Sequence, residues 1–432
     1  MKIAQLTPGS GDNFYCENCL RDAALVRAMR ELGHDVLMIP MYLPLQADKG
    51  ERISNAPIFF GGINVYLQQK LPIFRKTPRW IDKLFDRPRL LELVGKKAGM
   101  TSAKDLGETT ISMLRAEDGR QKKELDRFVT WLKKPENRPD VVCLSNALLA
   151  GLAKSIKDSL GVPVLCLLQD EDGFLDGLAE PYIKQAWEIL AQRVQDIDSF
   201  IAVSRYYADT MRKRLELDAD RVHVVYTGIP LEGYEERKAG PKEPAIGYLS
   251  RMCPDKGLDT LAEAFIILKQ SEGLENIKLI AAGGGTSNDE AFLNKIKQRL
   301  EGSGFIEGVE FWPGFERNER LDFFRSVSVL SVPEKRPVAY GLYVLEALAA
   351  GVPFVEPASG VFGELLEMTG GGVLYEPGNI QALANALKPL LLDTDYALGL
   401  GAKGRCGVVE NFDVKQAAKN LVRIYEQVTR QS

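Results

Sequence analysis

Two cations five residues apart, Arg251 and Lys256 in "YLSRMCPDKGLDT", stand where a short apolar run gives way to an amphipathic one. At a strand-to-helix connection both would project from the carboxyl edge of a sheet. A guanidinium can clamp two oxygens and an ammonium adds a point charge, so the pair suits a diphosphate; two solvated loop cations would read the same way. A second candidate lies in "YGLYVLEALAAG". There Gly341 precedes a helix that starts near Leu342, and the unpaired amides of a helix start attract anions. Glu346, about one turn further in, sits among Leu342, Val344, Leu345 and Leu348. A carboxylate in that company needs a partner. It could accept two hydrogen bonds from a vicinal diol such as ribose, cap its own helix, or pair with an arginine. A third candidate is the turn Gly9-Ser10-Gly11, whose glycines let backbone amides approach an anion. Its spacing is not a full dinucleotide fingerprint.

These residues need parallel sheets to carry them. "KIAQLTP", the Gly9-Ser10-Gly11 turn, the helical pattern "CLRDAALVRAMREL" ending at Gly33, and "HDVLMIPM" form a strand-helix-strand unit with a right-handed crossover. Residues 45–135 interrupt the alternation as a charged insertion. Its segment 70–97 carries a net +6 with Phe74, Trp80 and Phe85 interleaved, which makes it a candidate for peripheral membrane contact or for holding an anionic acceptor, or else a solvated cover over the cleft. "DVVCLSN", "VPVLCLLQ", "SFIAVS" and "RVHVVYTG" continue the strands. "YEERKAGPKEP" reads as a linker. Beyond it the scheme repeats, with strands "AIGYLS", "IKLIAAGGG", "VEFWPGF", "VSVLSVP", "VPFVEP" and "GVLYEP". The expected domains are 1–238 and 239–411, followed by a helix at 412–432 that returns to the first. The fold class is α/β: two Rossmann-like, doubly wound domains facing across a cleft.

Bulk properties fit an ordinary globular chain. The 432 residues carry a net charge of -4 with 45% apolar residues, which argues against nucleic acid as a partner. The amino terminus lacks a secretory apolar core, so a cytoplasmic protein is expected, with peripheral contact at the inner membrane face through 70–97. Six cysteines suggest reduced thiols. Cys16 and Cys19 form a CxxC, but two histidines and scattered cysteines offer no zinc set, and no metal is expected.

The ordered set of motifs resembles a glycosyltransferase with the two-domain GT-B fold, of the retaining family 4 type (glycosyl transferases group 1). "PGSG" with "ELGHDV", "SFIAVSRYYADTM" with "VVYTGIP", "LSRMCPDKGLDTLAEAF", "AAGGG", "FWPGF" and "YGLYVLEALAAGVPFVEPASGVFGELLE" carry the resemblance along almost the whole chain, the charged insertion excepted. It implies transfer of a sugar from a nucleotide-sugar donor to an unknown acceptor (a sugar, a lipid-linked group or a small molecule), with no cofactor. Arg251 and Lys256 match the cations that hold the donor's diphosphate. Gly341, Leu342 and Tyr343 match the helix start that meets the phosphates. Glu346 matches the acid that binds the ribose. Gly9 and Gly11 match the first-domain loop near the donor phosphate and the acceptor, and Gly284 belongs to the donor-side glycine turn.

Two positions depart from the pattern. Val338 stands where the family has a glutamate that contacts the donor sugar, and the family's cleft histidine has no counterpart; Gln169 and Asp170 stand there instead. His34 and His223 read as a helix-to-strand junction and a strand residue. Replacement acids are available in Glu334 and in Asp170, Glu171 and Asp172, with Asp170 the favoured catalytic candidate. The alternative is a non-catalytic nucleotide- or nucleotide-sugar-binding protein that kept the fold.

Overall fold

The computed structural model describes residues 1–9, 15–42, 56–61, 68, 74 and 103–431. Gly11 and, Phe74 apart, the segment 70–97 lie outside the described residues.

Runs buried on both faces become interior strands, as "VLCLL" (Val164–Leu168) and "AIGYL" (Ala245–Leu249) do, and helices cover them. Among the described residues twelve strands form two sheets of six, and every pairing is parallel. In the first sheet β1 (Lys2–Thr7), β2 (Asp35–Pro40), β3 (Val141–Leu144), β4 (Val164–Leu168), β5 (Ser199–Ala202) and β6 (Val222–Val224) lie in the order β2-β1-β3-β4-β5-β6. In the second, β7 (Ala245–Leu249), β8 (Lys278–Ala282), β9 (Val309–Phe311), β10 (Val329–Leu330), β11 (Phe354–Pro357) and β12 (Gly372–Tyr375) lie in the order β12-β11-β10-β7-β8-β9. Strand order reverses between β1 and β3 in one sheet and between β7 and β10 in the other. A doubly wound sheet opens its ligand crevice at such a reversal, at the carboxyl ends of the strands.

The chain divides into two compact units. The first holds Met1–Gly11, Asp22–Tyr226 and Ala418–Ser432; the second holds Asp12–Arg21 and Thr227–Ala417. The stretch 45–135, expected as an insertion, is otherwise from residue 103 onward. Two helices, Ala103–Arg115 and Lys122–Leu132, are built into the first unit. Leu114, Phe128 and Leu132 are fully buried, and Phe59 meets Phe128 edge-on with ring centroids 5.1 Å apart. The apolar positions 125, 128, 129 and 132 recur at helical spacing beneath a charged outer face, so the charge count concealed a packed face.

Candidate functional site

In the second unit the loops after β7 and β10 meet at the strand-order reversal. Lys256 ends a short 3-10 turn, Pro254–Lys256, and Gly257 follows at φ 70 before the helix Leu258–Lys269. A Cβ on Gly257 would fall onto the carbonyl oxygen of Pro333, so only glycine allows both the left-handed backbone and the close approach of the two loops. The Lys335 amide then donates to the Asp255 carbonyl at 2.9 Å.

This closure brings Lys256 to Glu334, with Nζ 2.6 Å from Oε1. Glu334 is 5% exposed and also accepts from the Tyr343 hydroxyl at 3.1 Å. The sequence offered Glu334 as a sugar-contacting acid; the folded chain instead sets it beneath Lys256 as that ammonium's anchor. Burial, followed by the charge of Glu334, pushes the Tyr343 phenol well up, so it stays a donor. Arg251 is held by Asp289, Nε to Oδ2 at 2.9 Å and Nη2 to Oδ1 at 3.2 Å, and donates to Thr286 Oγ1 at 3.1 Å. About a third of its side chain stays exposed. Gly284, at φ 66, accepts from the Met252 amide at 2.8 Å and so ties the glycine turn to the Arg251 loop.

The helix Leu342–Ala349 is buried on all faces, with Gly341 at its amino cap. Its Leu342 amide donates to Glu17 Oε2 at 2.8 Å, and Glu17 Oε1 lies 3.9 Å from Lys256 Nζ. Glu346, on the same helix, is enclosed by donors: Arg320 Nε at 3.0 Å and the Tyr234 hydroxyl at 2.8 Å on Oε1, and the Tyr15 hydroxyl at 2.7 Å on Oε2. Burial, reinforced by the Glu346 charge, raises both phenols well above the ordinary tyrosine range. Val338 is 2% exposed, so the place of the family's first acid is packed apolar.

Sequence reading missed Tyr15, Glu17, Tyr234, Arg320 and Glu356. Tyr234 opened an apparent linker, and Arg320 sits in a charge-rich helix, Arg317–Ser326. Glu356, on β11, is fully buried; its Oε1 accepts the Val332 amide at 2.9 Å and its Oε2 has no hydrogen-bond partner. Burial, with Glu334 and Glu17 adding to it against the Val332 amide, raises its carboxyl well above the ordinary range. Its alternation with apolar neighbours in "PFVEP" was the one available signal.

In the first unit Gly9 follows β1 at φ 76. Asp170 follows β4 at φ 67, a left-handed conformation unusual outside glycine and a mark of a constrained site. Beside it Glu171 is fully enclosed, accepting the Ala147 amide at 2.8 Å, the Gln169 amide at 2.7 Å and the Tyr207 hydroxyl at 2.8 Å. Burial pushes its carboxyl up to about 7 against those donors. The Tyr207 hydroxyl also lies 2.9 Å from Asp172 Oδ1, so its one proton is shared between two of the three consecutive acids. His223 lies on the edge strand β6, where burial lowers its pKa, and His34 lies just before β2. Cys16 and Cys19 are half-buried and in no disulfide. Among the described residues no helix is long and apolar enough to cross a membrane, and no group of three or more His, Cys, Asp or Glu is arranged to hold a metal ion.

Comparison with known proteins fits this geometry. The family Glycosyl transferases group 1 matches residues 234–405, and Glycosyltransferase Family 4 matches residues 113–232. The chain belongs to the group 1 glycosyl transferases and has their GT-B fold of two Rossmann-like domains. It is similar to the lipopolysaccharide core biosynthesis mannosyltransferase LpsB of Rhizobium meliloti, 28% identical over 46% of this chain. The chain spans little more than half the length of that curated relative, 57%. Among solved structures, sucrose-phosphate synthase from Thermosynechococcus elongatus superposes with a TM-score of 0.71 at 17% identity, covering 100% of both chains. Anabaena HepE in complex with UDP-glucose gives 0.70 at 16% identity, over 99% of this chain and 100% of that one.

Proposed function

We propose that this protein is a glycosyltransferase that moves a sugar from a nucleotide-sugar donor to an acceptor with retention of anomeric configuration. The observation that carries the proposal is the convergence of Lys256, Arg251 and the start of the helix Leu342–Ala349 at the carboxyl edge of the second sheet. These groups would take the diphosphate and stabilise the charge that grows on it as the bond to the anomeric carbon breaks. Glu346 would take the ribose, with Arg320 and Tyr234 fixing one oxygen and leaving Oε2 to accept from a diol. Gly9, Gly11 and Gly284 are assigned to donor binding, as the resemblance implies. Asp170 would contact the acceptor or the transferred sugar.

Chemistry of this kind needs no cofactor and, with two cations and helix amides compensating the charge, no metal ion. The names of relatives and neighbours include a mannosyltransferase and a complex with UDP-glucose, which support a nucleotide-activated hexose as the donor class. The test is to incubate the protein with UDP- and GDP-hexoses in the presence and absence of sugar and lipid-linked acceptors, with and without chelator. Donor consumption and an NMR spectrum showing the donor's anomeric configuration in the product are expected. Product of inverted configuration would overturn retention.

Val338 favours a second reading, a protein that binds the nucleotide sugar without turning it over, because the position that would hold the sugar-contacting acid is buried and apolar. Nucleotide binding that raises the melting temperature, with no donor consumption in any acceptor mixture, would select it.

A further inference from the structure

Three of the groups assigned to the donor, the Leu342 amide, Lys256 and Glu346, already meet residues 15–18, which belong to the second unit. Glu17 places one carboxylate oxygen 2.8 Å from the Leu342 amide and the other 3.9 Å from Lys256 Nζ, the two positions where a phosphate would sit. Tyr15 places its hydroxyl 2.7 Å from Glu346 Oε2, the oxygen that Arg320 and Tyr234 leave to a ribose hydroxyl. The Arg320 guanidinium lies 5.9 Å from the centre of the Tyr15 ring, and the Tyr15 amide donates to the Gly283 carbonyl at 2.8 Å. The Tyr340 hydroxyl donates to Asn18 Oδ1. Tyr15 is 3% exposed and the Glu17 side chain 13%. An anion and a hydroxyl, supplied by the chain two residues apart, thus meet the same receptors that a nucleoside diphosphate would use.

We propose that residues 15–18 form a self-inhibitory strap that fills the donor site with stand-ins for a nucleoside diphosphate, the Glu17 carboxylate for a phosphate and the Tyr15 hydroxyl for a ribose hydroxyl. This rests on the donor assignment made above. Binding then requires the strap to leave, and the observed dissociation constant is the intrinsic one divided by the fraction of molecules with the strap withdrawn. A ligand offering both an anion and a diol replaces the contacts that the strap gives up at the Leu342 amide, Lys256 and Glu346. Inorganic phosphate or a nucleoside replaces only part of them. The strap therefore selects complete nucleoside diphosphates, and any change that weakens it raises affinity for all of them.

The test is calorimetric titration of the full chain with UDP, GDP and ADP, comparing wild type, Glu17→Gln and Tyr15→Phe. Glu17→Gln keeps the size of the side chain and turns a charge-assisted hydrogen bond into a neutral one; Tyr15→Phe keeps the ring and removes the hydroxyl without changing charge. Both variants should bind the preferred nucleotide about fivefold more tightly. Tightening in Glu17→Gln alone would reduce the effect to removal of a nearby negative charge and would overturn the strap. Wild-type binding that neither variant improves would overturn the strap and leave the donor assignment standing. No binding by any of the three proteins would overturn both.

Discussion

Arg320 Nε donates to Glu346 Oε1 at 3.0 Å, and both side chains are almost wholly out of water, 4% and 5% exposed. Tyr234 shares the same oxygen and Arg320 also donates to the Phe315 carbonyl at 2.8 Å, so the guanidinium is anchored on two sides. A pair so deeply buried contributes less by attraction than its loss would cost, because a lone buried charge has no water to replace its partner. The pair fixes where Glu346 points, which is what a ribose contact would require.

Replacing Arg320 with Ala leaves Glu346 with two phenols and no cation. The unfolding free energy should fall by about 3–5 kcal/mol, read from urea denaturation. A loss below about 1 kcal/mol would mean that water or the tyrosines compensate the carboxylate.

Lys256 and Glu334 should separate in their effects on transfer. If Lys256 serves the leaving diphosphate as proposed, Lys256→Ala should lower kcat by roughly 100-fold or more. Glu334→Gln keeps the cation and loosens its anchor, so the loss should be several-fold smaller. Equal rates for Lys256→Ala and wild type would remove Lys256 from the reaction.

Asp170→Asn tests the favoured acid. Asparagine tolerates the left-handed backbone at this position, so the fold should persist. If Asp170 contacts sugar or acceptor, kcat/KM should drop by about 1–3 kcal/mol, roughly 5- to 150-fold. An unchanged kcat/KM would exclude it.

Glu171 makes stability depend on pH. Its carboxyl titrates near 7 in the folded chain against 4.5 in the ordinary state, so the folded form binds the proton more tightly. Its contribution is complete below pH 4.5, declines as pH rises, and is gone above about 7, on the order of 3 kcal/mol in all. Glu171→Gln should flatten that part of the urea-midpoint profile between pH 4.5 and 7. Parallel profiles for wild type and variant would refute the assignment.

The chain's local patterns determined the architecture. All twelve strands were readable, because apolar runs bounded by Gly, Pro and polar residues need only nearest neighbours to declare themselves. The placement of Arg251 and Lys256 just past β7 was equally legible, since a strand's carboxyl end is fixed by its own sequence. The helix Leu342–Ala349 was also marked, and so was the need of Glu346 for a partner. Who the partners are was decided only by the tertiary structure. Arg320, Tyr234 and Tyr15 reach Glu346 from 26, 112 and 331 residues away. No spacing in the sequence encodes such meetings; they arise because crossovers stack strand ends from distant segments at one sheet edge. The same holds for Glu334, which the sequence offered as a replacement acid for a sugar contact and which the approach permitted by Gly257 puts under Lys256. Glu17 is the extreme case. Its sequence marks it as an ordinary acid in the first turn of a helix, and only folding brings its carboxylate to the Leu342 amide.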